Sequence, residues 1–196
     1  MARPALSQTK LLEIALRCAE VLAQTGTGAT TAQLVAASGM SERTFFRYFP
    51  TKAECVRPVL EHGLNEFVAN VAGIVPTPGT HQSLRALIQS AFVRAYQTEA
   101  LAHGTQFLAT LLDASAYRRL WLEINDNTIT KLEAPLAKLL GEAPNSLTVT
   151  VAAQEATMLA VATITHMVRT GETIERAAAQ VGEILSNSPL NRIVAV

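Results

Sequence analysis

Arg43 and Arg47 lie four residues apart in a short stretch, Ser41 to Phe49, that also holds Thr44, Tyr48 and three phenylalanines. Wound as a helix, this stretch puts Phe45 and Phe49 on one face, where they can pack against a preceding helix through Leu34, Val35 and Met40. The opposite face then carries Arg43, Thr44, Arg47 and Tyr48. The major groove of B-DNA admits one helix, and the planar fork of arginine matches the two acceptors that guanine presents there. Arg43 and Arg47 are therefore candidate base readers, and Thr44 could touch a thymine methyl or a phosphate. Thr31, Ser41, Tyr48 and Lys52, with the free backbone N–H groups at helix starts, would hold phosphates and fix the register. Arginines on an exposed helix face are more often simply solvated charges, so the reading depends on the elements around them.

Those elements are legible from caps and glycines. Ser7 can cap a helix running to about Thr25, with Leu11, Ala15, Cys18 and Leu22 on one face, and Gly26 and Gly28 end it. A short helix starts at Thr30 or Thr31, with Thr30 and Gln33 at capping-box spacing, and stops at Ser38-Gly39. Gly39 can take a positive φ cheaply, which allows a sharp turn before Ser41 caps a third helix, Glu42 to Phe49. Thr51 is expected to cap a fourth helix that begins at Lys52 and runs towards Val75, with Pro58 as a possible kink inside it. Pro76-Thr77-Pro78-Gly79-Thr80 is the clearest break. Beyond it the spacing predicts helices at roughly Ser83 to Thr98, Thr105 to Leu112, Tyr117 to Leu140, Leu147 to Thr170 and Ile174 to Ser186.

Charge supports a basic head. Residues 1 to 58 hold seven basic groups against four acidic ones, a net +3, while the whole chain of 196 residues is neutral and the remainder is thus −3. With 49% hydrophobic residues the chain can build a sizeable core. The most apolar stretch, Leu147 to Val168, is interrupted by Gln154, Glu155 and His166, which reads as a buried helix and not a membrane span. The first residues lack the apolar run of a secretory signal, so a cytoplasmic location is expected. Cys18 and Cys55 stand 37 residues apart with no CxxC pair, which points to buried, reduced thiols and no metal site. Enzyme signatures are missing: there is no HExxH, P-loop or GxSxG, and Gly26-Thr27-Gly28 lacks the third glycine of a dinucleotide fingerprint. A helical module that binds protein instead of DNA remains the alternative.

The tract from Thr30 to Lys52, ending in Tyr48-Phe49-Pro50-Thr51-Lys52, resembles the helix-turn-helix of TetR-type transcriptional regulators. The resemblance implies an all-α fold, with a three-helix head at residues 1–52 joined by a long helix to a helical effector-binding and dimerisation part at 53–196. It implies that Thr30, Thr31, Ser41, Glu42, Arg43, Thr44, Phe46, Arg47, Tyr48 and Lys52 face DNA, with Tyr48 and Lys52 at the backbone and Arg43, Thr44 and Arg47 near bases. The family often has tyrosine where this chain has Phe46, so one hydroxyl contact to phosphate is missing. The wording Thr-Phe-Phe-Arg-Tyr-Phe is similar to a subgroup that includes regulators sensing acyl-CoA-like ligands.

From the same resemblance, a homodimer is expected through the last two helices, where Ala152, Ala153, Ala156 and Ala160, and Ile174 to Leu185, form small-residue or apolar faces that permit close packing. Candidate effector contacts combine aromatic walls with polar tips: Phe92, Tyr96, Phe107, Leu111, Trp121, Asn125, Met158 and His166. The partners expected are a double-stranded operator, a small-molecule effector and a second copy of the chain. No cofactor is expected.

Overall fold

The computed structural model describes residues 6–75, 83–97 and 104–187, and every regular element among them is helical. The first helix, α1 (Gln8–Thr25), begins where the Ser7 hydroxyl accepts the Lys10 N–H at 3.2 Å, and it buries Ile14, Ala15, Cys18, Ala19 and Leu22. A 3-10 turn at Gly26–Gly28 leads to α2 (Thr31–Ser38). There the capping box closes in both directions: the Thr30 hydroxyl accepts the Gln33 N–H at 3.2 Å, and Gln33 Oε1 accepts the Thr30 N–H at 2.7 Å. A cap of this kind stabilises a helix by about 1 kcal/mol.

Gly39 follows with φ 69° and ψ 19°, and its N–H returns to the Ala36 carbonyl at 3.1 Å. Nothing lies within 4 Å of a Cβ built at this position, so only backbone strain opposes a side chain. Gly39→Ala should therefore cost about 1–2 kcal/mol, read as a lower unfolding midpoint with helix content retained. Ser41 then caps α3 (Glu42–Tyr48), its hydroxyl accepting the Thr44 N–H at 3.3 Å.

The fourth helix departs from its expected start. Residues Ala53–Val56 form a 3-10 turn without a side-chain cap, and α4 runs over Arg57–Ala72. Pro58 is accordingly the second residue of α4, where its missing N–H would have had no helical partner, and no kink is required. The proline-rich break at 76–80 lies outside the described residues, as does Thr98. Five helices follow: α5 (Leu84–Tyr96), α6 (Gly104–Asp113), α7 (Ser115–Leu140), α8 (Leu147–Thr170) and α9 (Ile174–Ser186). All five match expectation to within two residues at each end, and α7 continues through Pro135.

Packing divides the chain into two compact units that are not contiguous blocks of sequence. One consists of Met1–Asn65 and Thr98–Ile124, the other of Glu66–Gln97 and Asn125–Val196. In the first unit α1 is the hub: α2, α6 and both 3-10 turns pack on it, and the Thr110 hydroxyl on α6 contacts the Leu22 carbonyl at 3.4 Å.

In the second unit α8 and α9 pack along each other and against α5. Ala153, Ala156 and Ala160 on α8 and Ala177 and Ala178 on α9 are buried within this single chain. Intrachain packing thus takes up part of the faces read from the sequence as a subunit interface, while Ala152 and Leu185 stay half-buried and Ile184 exposed. At Gly182 a Cβ would fall 2.2 Å from Gln89 Oε1, which shows how near α9 comes to α5. Helix α8 is long and apolar enough to span a bilayer by composition, yet 44% of its apolar window is buried inside the protein.

Candidate nucleic-acid interface

Positioning of α3 begins with its inner face. Phe45 is 0% exposed and Phe49 3%, with ring centroids 5.2 Å apart, and Leu34 of α2 is likewise buried. Phe46 stands edge-on to Phe45 at 5.4 Å and is partly exposed. With the aromatic pair facing inward, the helical period turns the opposite side to solvent. Ser41, Glu42, Arg43 and Arg47 are exposed there, while Thr44 and Tyr48 are half-buried.

The polar side chains are pre-arranged by local bonds. The Ser41 hydroxyl lies 2.9 Å from that of Thr44. The Arg47 guanidinium sits over the Tyr48 ring, 4.9 Å from its centroid, and the Tyr48 hydroxyl accepts the Leu6 N–H at 3.3 Å. Thr30 is exposed and Thr31 half-buried at the start of α2. Lys52 donates its ammonium to the Ala29 carbonyl, which holds its charge beside that end of α2. Of the residues named from the sequence for this face, Thr30 and Thr31 stand at the start of α2, Ser41 to Thr44, Phe46, Arg47 and Tyr48 lie on α3 or its cap, and Lys52 bonds back to Ala29 just before α2.

One positioning residue was not foreseen. Arg17 on α1 donates from Nε to the Ala37 carbonyl at 2.9 Å and from Nη2 to the Ser38 carbonyl at 3.1 Å. It thereby satisfies the last carbonyls of α2 and fixes that helix to α1. The contact spans about twenty residues of sequence and follows from no local pattern. Behind the head, Arg57 is held in its charged form by Glu54 and then by Glu123, whose Oε1 lies 3.0 Å from Nη2.

The eight candidate effector contacts are distributed over both units. Phe107, Leu111 and Trp121 are buried in the first. In the second, Phe92 is buried edge-on to Phe67 at 5.4 Å, and Asn125 is also buried. Tyr96 is half-buried, and its hydroxyl is pushed up from its ordinary pKa by burial and by Glu175. Met158 is 48% exposed and borders an open hollow of about 630 Å³ with Val151 and Leu185. His166 Nε2 lies 2.8 Å from Gln180 Oε1 and 3.4 Å from Glu172 Oε2, a partnered histidine between α8 and α9. A smaller hollow of about 230 Å³ between α5 and α8 is lined by other residues, among them Leu84, Ile88, Ala152 and Leu159, with Arg85 paired to Glu155 at 2.8 Å at its edge.

Comparison with known proteins bears on the head and on the fold separately. Residues 8–59 match the model of the family described as bacterial regulatory proteins, tetR family. Among solved structures, the fatty acid degradation regulator FadR from Bacillus halodurans is 16% identical with a TM-score of 0.58, covering 97% of this chain and 100% of that one. FadR from Bacillus subtilis, in complex with stearoyl-CoA, is 18% identical with a TM-score of 0.57, over 91% and 97% of the two chains. NalD, the secondary repressor of the MexAB-OprM multidrug efflux pump in Pseudomonas aeruginosa, is 14% identical with a TM-score of 0.57, over 92% and 97%. No curated protein matches the sequence. At such identities the likeness concerns the fold. The chain therefore carries the helix-turn-helix domain of the tetR family at residues 8–59 and has, over nearly its whole length, the all-helical fold of TetR-type transcriptional regulators.

Proposed function

We propose that this protein is a cytoplasmic, homodimeric transcriptional repressor that reads an operator with α3 and is released from it by a small molecule. The observation that carries this reading is the orientation of α3: Phe45 and the following Phe49 are buried, while the guanidinium groups of Arg43 and Arg47 face solvent. In this reading residues 1–52 are the DNA-reading part. Arg43 and Arg47 address base edges, and Thr44 touches a thymine methyl or a phosphate. Thr31, Ser41, Tyr48 and Lys52 hold the backbone, with Thr30, Glu42 and Phe46 at its margin. Selection of bound duplexes from a random pool should return a palindromic site whose half-sites lie about one helical turn apart, or a multiple of that. Binding to it should weaken steeply with added salt as counterions cease to be released. Recovery of no preferred duplex would remove the assignment.

For the dimer, the argument rests on residues that remain uncovered. Val151 (49% exposed) and Met158 on α8 and Ile184 (57% exposed) on α9 are large apolar side chains on the outer side of helices whose inner sides are already packed. An apolar surface of this kind is a natural subunit contact. The double change Val151→Asp with Met158→Asp should leave helix content unchanged and convert a dimer into a monomer in sedimentation at micromolar concentration. A dimer that survives both changes would move the interface elsewhere.

Release follows from differential affinity: an effector that prefers a conformation in which the two heads are wrongly spaced lowers operator affinity by the ratio of its affinities for the two states. The ligand class we favour is acyl-CoA-like, supported by the Thr-Phe-Phe-Arg-Tyr-Phe wording and by the stearoyl-CoA bound to the Bacillus subtilis FadR of similar fold. Addition of stearoyl-CoA to the protein–operator complex tests this directly.

A further inference from the structure

Helix α1 and the residue leading into it hold the unit of α2, turn and α3 at two separate points. At the end of α2, Arg17 bonds the carbonyls of Ala37 and Ser38. At the end of α3, the chain just before α1 meets Tyr48: the Leu6 N–H donates to the Tyr48 hydroxyl at 3.3 Å, across 42 residues of sequence. Leu6 lies one residue ahead of the Ser7 cap, so its N–H takes no part in the hydrogen bonding of α1.

The direction of this bond is set by chemistry. A backbone N–H can only donate, so the Tyr48 oxygen is the acceptor and its own proton is not consumed by the contact. That proton turns away from the Leu6 N–H and remains available to an acceptor from outside. A hydroxyl that accepts one hydrogen bond is also the stronger donor in the next, because each bond in such a chain polarises its neighbour. The ring that carries the hydroxyl is held as well, for the Arg47 guanidinium lies over it at 4.9 Å from the centroid and the side chain is half-buried. Tyr48 is thereby prepared as a donor, which is what a phosphate oxygen requires of it.

From this arrangement we infer that Leu6 is a positioning residue for DNA binding: its backbone N–H orients and polarises the Tyr48 hydroxyl for donation to a phosphate. The inference rests on the DNA-binding reading given above and deepens it by a residue outside the helix-turn-helix tract. No residue type reveals such a role, since the group at work belongs to the main chain.

Four full-length variants separate positioning from a merely structural part. Leu6→Pro removes the N–H, and Leu6→Ala keeps it. Tyr48→Phe removes the hydroxyl but leaves a ring beneath Arg47, and the fourth variant combines Leu6→Pro with Tyr48→Phe. On the duplex selected by the wild-type chain and on unrelated duplexes alike, Tyr48→Phe should weaken binding about tenfold, the scale of one hydrogen bond to a charged acceptor. Leu6→Pro should weaken it about threefold with helix content retained, and Leu6→Ala should bind at least about twofold more tightly than Leu6→Pro. In the Tyr48→Phe background Leu6→Pro should cause no further loss, because the oxygen it acts on is gone. The slope of log K against log salt should stay that of the wild type in all four, since no charge is removed.

A loss from Leu6→Pro that persists in the Tyr48→Phe background would overturn the proposal, as would equal losses for Leu6→Pro and Leu6→Ala. Wild-type binding by either Leu6→Pro or Tyr48→Phe would overturn it too. Failure of the DNA-binding reading is told apart by the wild-type chain, which would then select no duplex at all and take this inference with it.

Discussion

Replacing Phe45 by alanine is expected to cost about 3–5 kcal/mol, the range for removing an aromatic ring from a closed core. The side chain is 0% exposed and in ring contact with Phe46 and Phe49. Loss of that ring would take away much of what anchors α3 to α2, and the helix itself is too short to persist without tertiary support. Set against typical domain stabilities of about 5–15 kcal/mol, the loss is large enough to leave the reading head partly unfolded at room temperature. Urea titration followed by circular dichroism should show an early, separate loss of helix content. Phe46→Ala, one residue on but partly exposed, should change stability by less than about 1 kcal/mol. Similar losses for the two variants would mean that α3 is not held by the inward face described above.

The second large effect lies in recognition. Arg47→Ala should lower affinity for the selected operator by about 1–3 kcal/mol, roughly fivefold to two-hundredfold, and should relax preference mainly at one base position in each half-site. Lys52→Ala should instead weaken binding to every duplex by a similar factor and reduce the dependence of log K on log salt by about one charge per head. Lys52 is engaged with the Ala29 carbonyl in the free protein, so the proposed phosphate contact would have to displace or share that bond. Arg47 rests on the Tyr48 ring, which restricts its guanidinium and would lower the cost of ordering it in the proposed base contact. Binding of both variants to the operator and to unrelated duplexes at several salt concentrations separates the two roles. Equal losses on all sequences would remove the assignment of Arg47 to bases.

What could be read in advance was local. Ser7, Thr30, Gly39 and Ser41 act on backbone groups within a few residues of themselves, so the caps and the turn that shape the head were visible as letters. The same holds for the bounds of α8 and α9, set by Ser146, Gly171 and Thr173. Thr51 misled because the chain enters α4 through a 3-10 turn whose backbone bond, from the Glu54 N–H to the Thr51 carbonyl, needs no side chain.

Features that depend on folding were hidden. Arg17 meets α2 across twenty residues, and Ala153, Ala156 and Ala160 of α8 and Ala177 and Ala178 of α9 are buried in this chain's own core. Periodicity shows that a face is apolar; it does not say which surface covers it. The effector candidates carry the same ambiguity. Aromatic residues at helical spacing mark burial, and Phe107 and Leu111 are buried against the head's own helices.

The seating of α6 on α1 has a practical bearing on modular engineering. Hybrid regulators are commonly imagined as a portable reader cut from its body at the first convenient joint. Here a fragment ending near residue 65 would leave behind Thr110 and the buried side chains Phe107, Leu108 and Leu111, and so strip the hub helix of its cover. A graft that travels intact has to bring residues 98–124 with it, which makes the transferable piece a discontinuous one.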